Sequence, residues 1–193
     1  MNQDLGNFQN VITFIKELER LKDNTRTAWT GEGKRESVAE HSWRLSVFAM
    51  ALWEYFPDVD INRVIRICLI HDLGEAYEGD VSATLETDQE GKIRKEEKAV
   101  RQLLTPLSES MGQQFLDLWK EYNNGETKEA KLAKALDKIE TIIQHNQGDN
   151  PPDFDYAFNL EYGREYAQYS PVLKAIREII DRETQERAKE NGR

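Results

Sequence analysis

Two of the three histidines in this 193-residue chain stand where helical spacing calls for an apolar side chain. His41 falls between Val38 and Leu45 on one stripe, and His71 with Asp72 lies three and four residues past Cys68 on another. Asp137 sits beside Leu136 at the edge of a third. A carboxylate buried without a partner is costly. Asp72 also falls near a helix C-terminus, where the helix dipole opposes negative charge. One divalent cation relieves all of these conflicts. Two neutral imidazoles and two carboxylates form a mixed nitrogen–oxygen set whose charge balances a first-row divalent ion: Mn²⁺, Co²⁺, Fe²⁺, Ni²⁺ or Zn²⁺, with Mg²⁺ as a further option. In an octahedral arrangement, four protein ligands leave room for water and a phosphoryl oxygen. Adjacent helical side chains point about 100° apart, so His71 and Asp72 can share an ion only where their helix loosens at its end. A lone His41 reads as a core histidine, and a lone Asp137 as a solvated helix face. The combination points to a metal site, with Glu75 three residues past the doublet and Asp80 five further on.

These residues need helices to position them, and the apolar spacing is helical almost throughout. Leu5, Phe8, Ile12, Ile15 and Leu18 predict a first amphipathic helix, and residues 22–36 a loop. Ser37-Val38-Ala39-Glu40 has capping-box form and opens a second helix that carries His41 and ends at Pro57. Asp60 caps a third with the stripe Ile61, Val64, Ile65 and Cys68, broken by Gly74 and Gly79. Further helices are expected over 92–104 and 109–122, and from Thr127 with Leu132, Leu136, Ile139 and Ile143. Pro151-Pro152 marks a loop, and Ser170-Pro171 fits the cap and first residue of a last helix. The charged tail from Glu183 is expected to be solvated or frayed. No strand of useful length competes. The predicted fold is an all-α bundle of one domain over 1–193, with a core over about 8–145 and C-terminal helices over about 155–188.

Composition narrows the partners. A net charge of −10 repels nucleic acid polymers and anionic membranes, yet leaves room for a small phosphorylated substrate beside a metal and an arginine. No apolar stretch is long enough to span a bilayer. The single Cys68 and a start without a basic, apolar leader point to the cytoplasm.

The run Arg26-Thr27-Ala28-Trp29, Glu36 to His41, His71-Asp72-Leu73-Gly74-Glu75, Glu78-Gly79-Asp80 and Leu136-Asp137 resembles the HD-domain superfamily of metal-dependent phosphohydrolases. The resemblance covers roughly residues 8–145. The His, His-Asp, Asp pattern specifies the superfamily. The upstream Arg and the His-Asp-x-x-Glu followed by Gly-Asp resemble its 5′-deoxynucleotidase branch, which hydrolyses deoxynucleoside 5′-monophosphates to nucleoside and phosphate. The resemblance implies His41, His71, Asp72 and Asp137 as ligands of one divalent metal. It implies Glu75 as the catalytic carboxylate acting on the attacking water, and Arg26 as the phosphate holder. Asp80 would contact the sugar side of the substrate or a water. Trp29 would select the sugar, although bacterial relatives place their Trp directly after the Arg and Thr27 intervenes here. Leu73-Gly74-Glu75-Ala76 lacks the Glu-Asp pair of the stringent-response hydrolases. Hydrolysis of a cyclic nucleotide, a triphosphate or another small phosphate ester stays open, as does a metal-stapled nucleotide sensor without catalysis. Arg44 is expected in a surface salt bridge, Lys138 in solvent, and His145 as structural or exposed. Trp43, Trp53 and Trp119 are expected in packing. The aromatics Tyr156, Phe158, Tyr162, Tyr166 and Tyr169 are expected in the core, or alternatively at a homodimer interface.

Overall fold

The computed structural model describes residues 2–79 and 88–191; Asp80 lies outside them. Helix α8 (Lys128–Gln147) is the axis of the fold. Thr127 caps it, its Oγ1 accepting from the Ala130 amide at 3.1 Å. Ala130, Ala133 and Ala135 let neighbouring backbones approach, and Leu132, Leu136, Ile139 and Ile142 fill the space between them. Around α8 pack α3 (Val38–Ala51), α4 (Ile61–Ile70), α7 (Glu109–Asn124) and α11 (Pro171–Glu190). Each fully buried aliphatic side chain contributes about 1.5–3 kcal/mol, so the apolar contacts of α8 dominate the stability of the site it carries.

The caps read from sequence form. Ser37 and Glu40 make both bonds of the capping box on α3. Asp60 accepts from the Asn62 and Arg63 amides, and Ser170 accepts from the Val172 and Leu173 amides. Helix α4 stops at Ile70. A turn over residues 71–74 then leads into the short α5 (Glu75–Glu78). There Gly74 lies against α6 (Gln89–Leu104): a Cβ at Gly74 would stand 2.6 Å from the Glu96 Cβ. A second cluster, with Phe14, Val38, Leu103 and Trp119, packs the other side of the bundle.

Four expectations are corrected. Residues 22–36 hold the end of α2 (Arg20–Asp23) and an antiparallel hairpin of β1 (Thr25–Trp29) and β2 (Arg35–Ser37), with Thr25 opposite Ser37 and Trp29 opposite Arg35. These strands are too short for alternation to show, and the side chain that β1 sends inward with Ala28 is the polar Arg26. In α1 (Asn2–Glu17) the stripe is present but faces solvent, with Leu5 60 % and Phe8 62 % exposed. The helix docks instead through Phe14, edge-on to Phe115 at 5.5 Å, and Leu18 just beyond it joins the same core. Trp43 and Trp53 are exposed, and only Trp119 is core. The tail from Glu183 continues α11 to Glu190, because Thr184 and Ala188 are buried and the Asn146 amide donates to Thr184 Oγ1 at 2.9 Å.

One buried side chain ties α11 to the segment that precedes it. The Arg177 guanidinium donates to the carbonyls of Asn159, Leu160 and Tyr162 at 2.6, 3.0 and 2.7 Å, which closes the end of α9 (Phe158–Glu161). Asp181 balances its charge at 2.6 Å. Among the described residues no helix is long and apolar enough to cross a membrane.

Candidate metal centre and active site

Three elements deliver four ligand-type side chains to one point. His41 comes from the first turns of α3, His71 and Asp72 from the turn after α4, and Asp137 from the middle of α8. The turn solves the geometry of the doublet: with the helix ended, both side chains reach the same spot, and His71 Nε2 lies 3.0 Å from Asp72 Oδ2. His41 Nε2 is 3.2 Å from Asp137 Oδ1 and 3.8 Å from Asp72 Oδ2, and His71 Nε2 is 3.9 Å from Asp137 Oδ1. Metal–ligand bonds of about 2.0–2.2 Å put neighbouring ligand atoms about 3.0–3.5 Å apart. The quartet is at that spacing or slightly wider.

The tautomers fit as well. His71 Nδ1 lies 2.9 Å from the Cys68 carbonyl, which only accepts, so Nδ1 carries the proton and Nε2 the lone pair. His41 Nδ1 is bound in the same way by the Glu140 carboxylate. Among the described residues both Nε2 atoms are buried without a hydrogen-bond partner, and a divalent cation would supply what they lack. His41, His71 and Asp137 satisfy metal-ligand spacing among buried groups. Asp137 is fixed on its other oxygen, where Tyr122 Oη donates to Oδ2 at 2.6 Å and Lys138 Nζ sits at 2.9 Å. Burial alone would raise the Asp137 pKa, but Lys138 and the two histidines hold it well below the ordinary carboxylate range. Lys138 is therefore a partner of Asp137, not the solvated side chain expected.

Arg26 projects from β1 beside this cluster. Its Nη1 donates to Glu36 at 2.9 Å and its Nη2 to Thr141 at 2.9 Å, which engages two of five guanidinium donors. The Arg44 salt bridge runs inward, not over the surface, its Nε donating to Glu140 at 2.5 Å. Glu75 starts α5 and is buried, and the Asn24 side chain donates to its backbone carbonyl at 2.6 Å. His71, Asp72, Asp137, Arg26 and Glu75 line one cavity of about 520 Å³, which is within the usual range for small-molecule sites. Phe158, Tyr162, Gly163 and Tyr166 line the same cavity. Trp29 is not brought there: its ring meets Phe154 edge-on at 6.5 Å and lies under the Arg35 guanidinium at 5.5 Å. His145 is structural, its Nδ1 bonded to Asn159 Oδ1 at 2.9 Å, though it also reaches the cavity.

Sequence reasoning quoted Glu36 without giving it a role and passed over Glu140, Tyr122 and Thr141. For Glu140 a signal existed, since it is a carboxylate three residues past Asp137 and next to Ile139 on a helix buried nearly all round.

Comparison with known proteins agrees with this geometry. The HD domain family model matches residues 18–177. The 5′-deoxynucleotidase HDDC2 of Dictyostelium discoideum is 33 % identical over 151 residues, 74 % of this chain and 80 % of that protein. The 5′-deoxynucleotidase hdd1 of Schizosaccharomyces pombe is 33 % identical over 172 residues, 86 % of this chain and 82 % of that protein. A crystal structure described as a predicted metal-dependent phosphohydrolase from Magnetospirillum magnetotacticum superposes with a TM-score of 0.78 at 28 % identity, covering 94 % of this chain and 97 % of that one. With a bundle, a ligand quartet and relatives that all agree, the chain belongs to the HD domain family.

Proposed function

We propose that the protein is a metal-dependent 5′-deoxynucleotidase that hydrolyses deoxynucleoside 5′-monophosphates to nucleoside and phosphate. The observation that carries this reading is the shared cavity: ligand-type side chains, an arginine with spare donors and a buried carboxylate open onto the same space. The relatives' names supply the substrate class. His41, His71, Asp72 and Asp137 would hold one divalent ion, and two imidazoles favour Mn²⁺, Co²⁺, Fe²⁺, Ni²⁺ or Zn²⁺ over Mg²⁺. When bound, such an ion supplies positive charge against the phosphoryl oxygens and makes water more acidic.

The chain's own residues do the rest. Arg26 presents its remaining N–H donors to two phosphate oxygens as a planar fork. Lys138 adds a second cation on the same cavity wall. Glu75 takes the proton that the attacking water loses as its oxygen bonds to phosphorus. The bond from phosphorus to the 5′-oxygen breaks, and that oxygen leaves with a proton from Glu75 or from solvent. The aromatic wall of Phe158, Tyr162 and Tyr166 gives the nucleoside an apolar face. Trp29 packs on Phe154 and Arg35 and is not among the residues lining the cavity, so this reading assigns it no sugar contact. Of the C-terminal aromatics, Tyr156 is core while Phe158 and Tyr169 are exposed, so the core expectation fails for those two and a homodimer through them stays a proposal.

The test is phosphate release by metal-stripped protein, alone and after reloading with each ion. The substrates are five deoxynucleoside monophosphates, their ribose counterparts, and a triphosphate and a cyclic nucleotide. Full activity without metal would refute the reading, as would faster turnover of the triphosphate or the cyclic nucleotide.

A further inference from the structure

One carboxylate touches both halves of the site while facing neither the cavity nor the solvent. Glu140 is 1 % exposed. Its Oε2 takes the His41 Nδ1 proton and also lies 3.8 Å from Arg26 Nη1. Its Oε1 accepts from Arg44 Nε. Three cationic or donor groups from β1 and α3 therefore converge on one side chain of α8. Glu36 repeats part of this pattern, binding Arg26 at 2.9 Å.

We propose that Glu140 is a positioning residue that sets the metal-binding face of His41 and the pose of Arg26 through the same oxygen. The proposal rests on the metal and phosphate roles given above to His41 and Arg26. A carboxylate on the far nitrogen of a metal-binding imidazole fixes its tautomer and ring orientation and strengthens it as a ligand. Here the carboxylate is buried, so water cannot take its place. Among the described residues its hydrogen-bond partners are the donors His41 and Arg44, with Arg26 Nη1 at 3.8 Å and the Glu36 carboxylate also nearby. Both hydrogen bonds need an acceptor, and the Arg26 contact needs the negative charge.

That requirement makes glutamine a sharp probe. A glutamine amide has one accepting oxygen and one donating nitrogen. In Glu140→Gln, either His41 and Arg26 or Arg44 must face an N–H₂ group. Turned toward His41, that group can be satisfied only by moving the imidazole proton to Nε2, where the metal would bind.

The experiment is calorimetric titration of metal-stripped protein with Co²⁺, followed by titration of the Co²⁺-loaded protein with inorganic phosphate. Glu140→Gln is expected to weaken Co²⁺ binding about 10–100-fold and to weaken phosphate at saturating Co²⁺. Glu140→Asp keeps two acceptors but withdraws them by one methylene, so its losses should be smaller. It also carries the test if the glutamine variant does not fold. A residue that merely filled space would lower the melting temperature and leave the Co²⁺ affinity of the folded protein unchanged. Wild-type Co²⁺ affinity in folded Glu140→Gln and Glu140→Asp would overturn the proposal. So would weakened Co²⁺ binding with phosphate affinity untouched, since Arg26 would then be independent of Glu140. If the variants lose Co²⁺ and phosphate as expected but the wild type hydrolyses no nucleotide, the positioning role stands and the 5′-deoxynucleotidase reading falls.

Discussion

Replacing Arg26 with methionine removes a guanidinium that does two separable things. It pairs with Glu36 and Glu140, which are 2 % and 1 % exposed, and in the proposed reaction its remaining donors hold the phosphate. Stripping one partner from a buried ion pair costs about 3–5 kcal/mol. Burial already holds the Glu36 carboxyl above its ordinary pKa against the pull of Arg26. In the variant it therefore takes up a proton instead of remaining a bare charge, and the expected loss is about 3 kcal/mol, at the lower end of that range. On the catalytic side, hydrogen bonds to charged groups are worth about 1.5–3 kcal/mol each. Losing two to the phosphate lowers kcat/KM by about two to four orders of magnitude. Adding Glu36→Gln to Arg26→Met removes the orphaned acid and should restore most of the stability without restoring activity. Urea denaturation and initial rates on dAMP, measured on both variants, separate the two effects. If the double variant regained activity with its stability, Arg26 would serve only to neutralise buried acids. If Arg26→Met alone kept kcat/KM within threefold, the phosphate role would fail.

Glu75→Gln should reduce kcat by about 10²–10⁴-fold with KM little changed; equal losses in binding would mean that Glu75 holds substrate instead of moving a proton. Gly74→Ala places a methyl 2.6 Å from the Glu96 Cβ, so α5 and α6 must part at a cost of about 1–3 kcal/mol. Denaturation should register that loss, and kcat should fall with it because α5 carries Glu75; an unchanged midpoint would refute the close packing. Burial, helped by Arg26 and opposed by the Asn159 acceptor, brings the His145 pKa down from 6.5 to about 4. The unfolded chain therefore takes up a proton below about pH 6.5 while the folded one stays neutral. Stability from this residue is full above that pH and is lost on descending toward pH 4, by up to about 3 kcal/mol. His145→Gln should flatten that slope relative to wild type in denaturation curves at pH 7.5 and 5; parallel slopes would show that His145 does not titrate this way.

The residues most legible in the sequence were those that broke a local rule. His41 interrupts an apolar stripe, Asp137 stands at the edge of another, and Asp72 defies the helix dipole; none decides alone, but together they mark the site. Helix starts were legible for a related reason: Ser37, Asp60, Thr127 and Ser170 act within three residues of themselves. What escaped depends on chain-distant meetings. Glu140 becomes significant only because α3 lies against α8 and brings His41, 99 positions away, onto it. The Arg26–Thr141 bond spans 115 positions, and no spacing rule reaches that far. The stripe of α1 was legible as periodicity but not as direction. A pattern tells which side chains share a face, and only the packing of Phe14 on Phe115 tells which face turns inward. The hairpin escaped because a three-residue strand carries too little alternation to register.

The bond from Arg177 to the end of α9 separates two kinds of inheritance in this protein. The ligand-type side chains are anchored to α3, α8 and the turn after α4, whereas the wall proposed to meet the nucleoside hangs from a guanidinium on the last helix. Substitutions along 156–170 away from Tyr162 and Gly163, which pack on the Asp137 partner Lys138, can reshape that wall while leaving the ligand residues in place. Loss of Arg177 would loosen that wall before it reached the residues around Asp137. Selectivity and turnover are thus free to diverge among descendants of this scaffold.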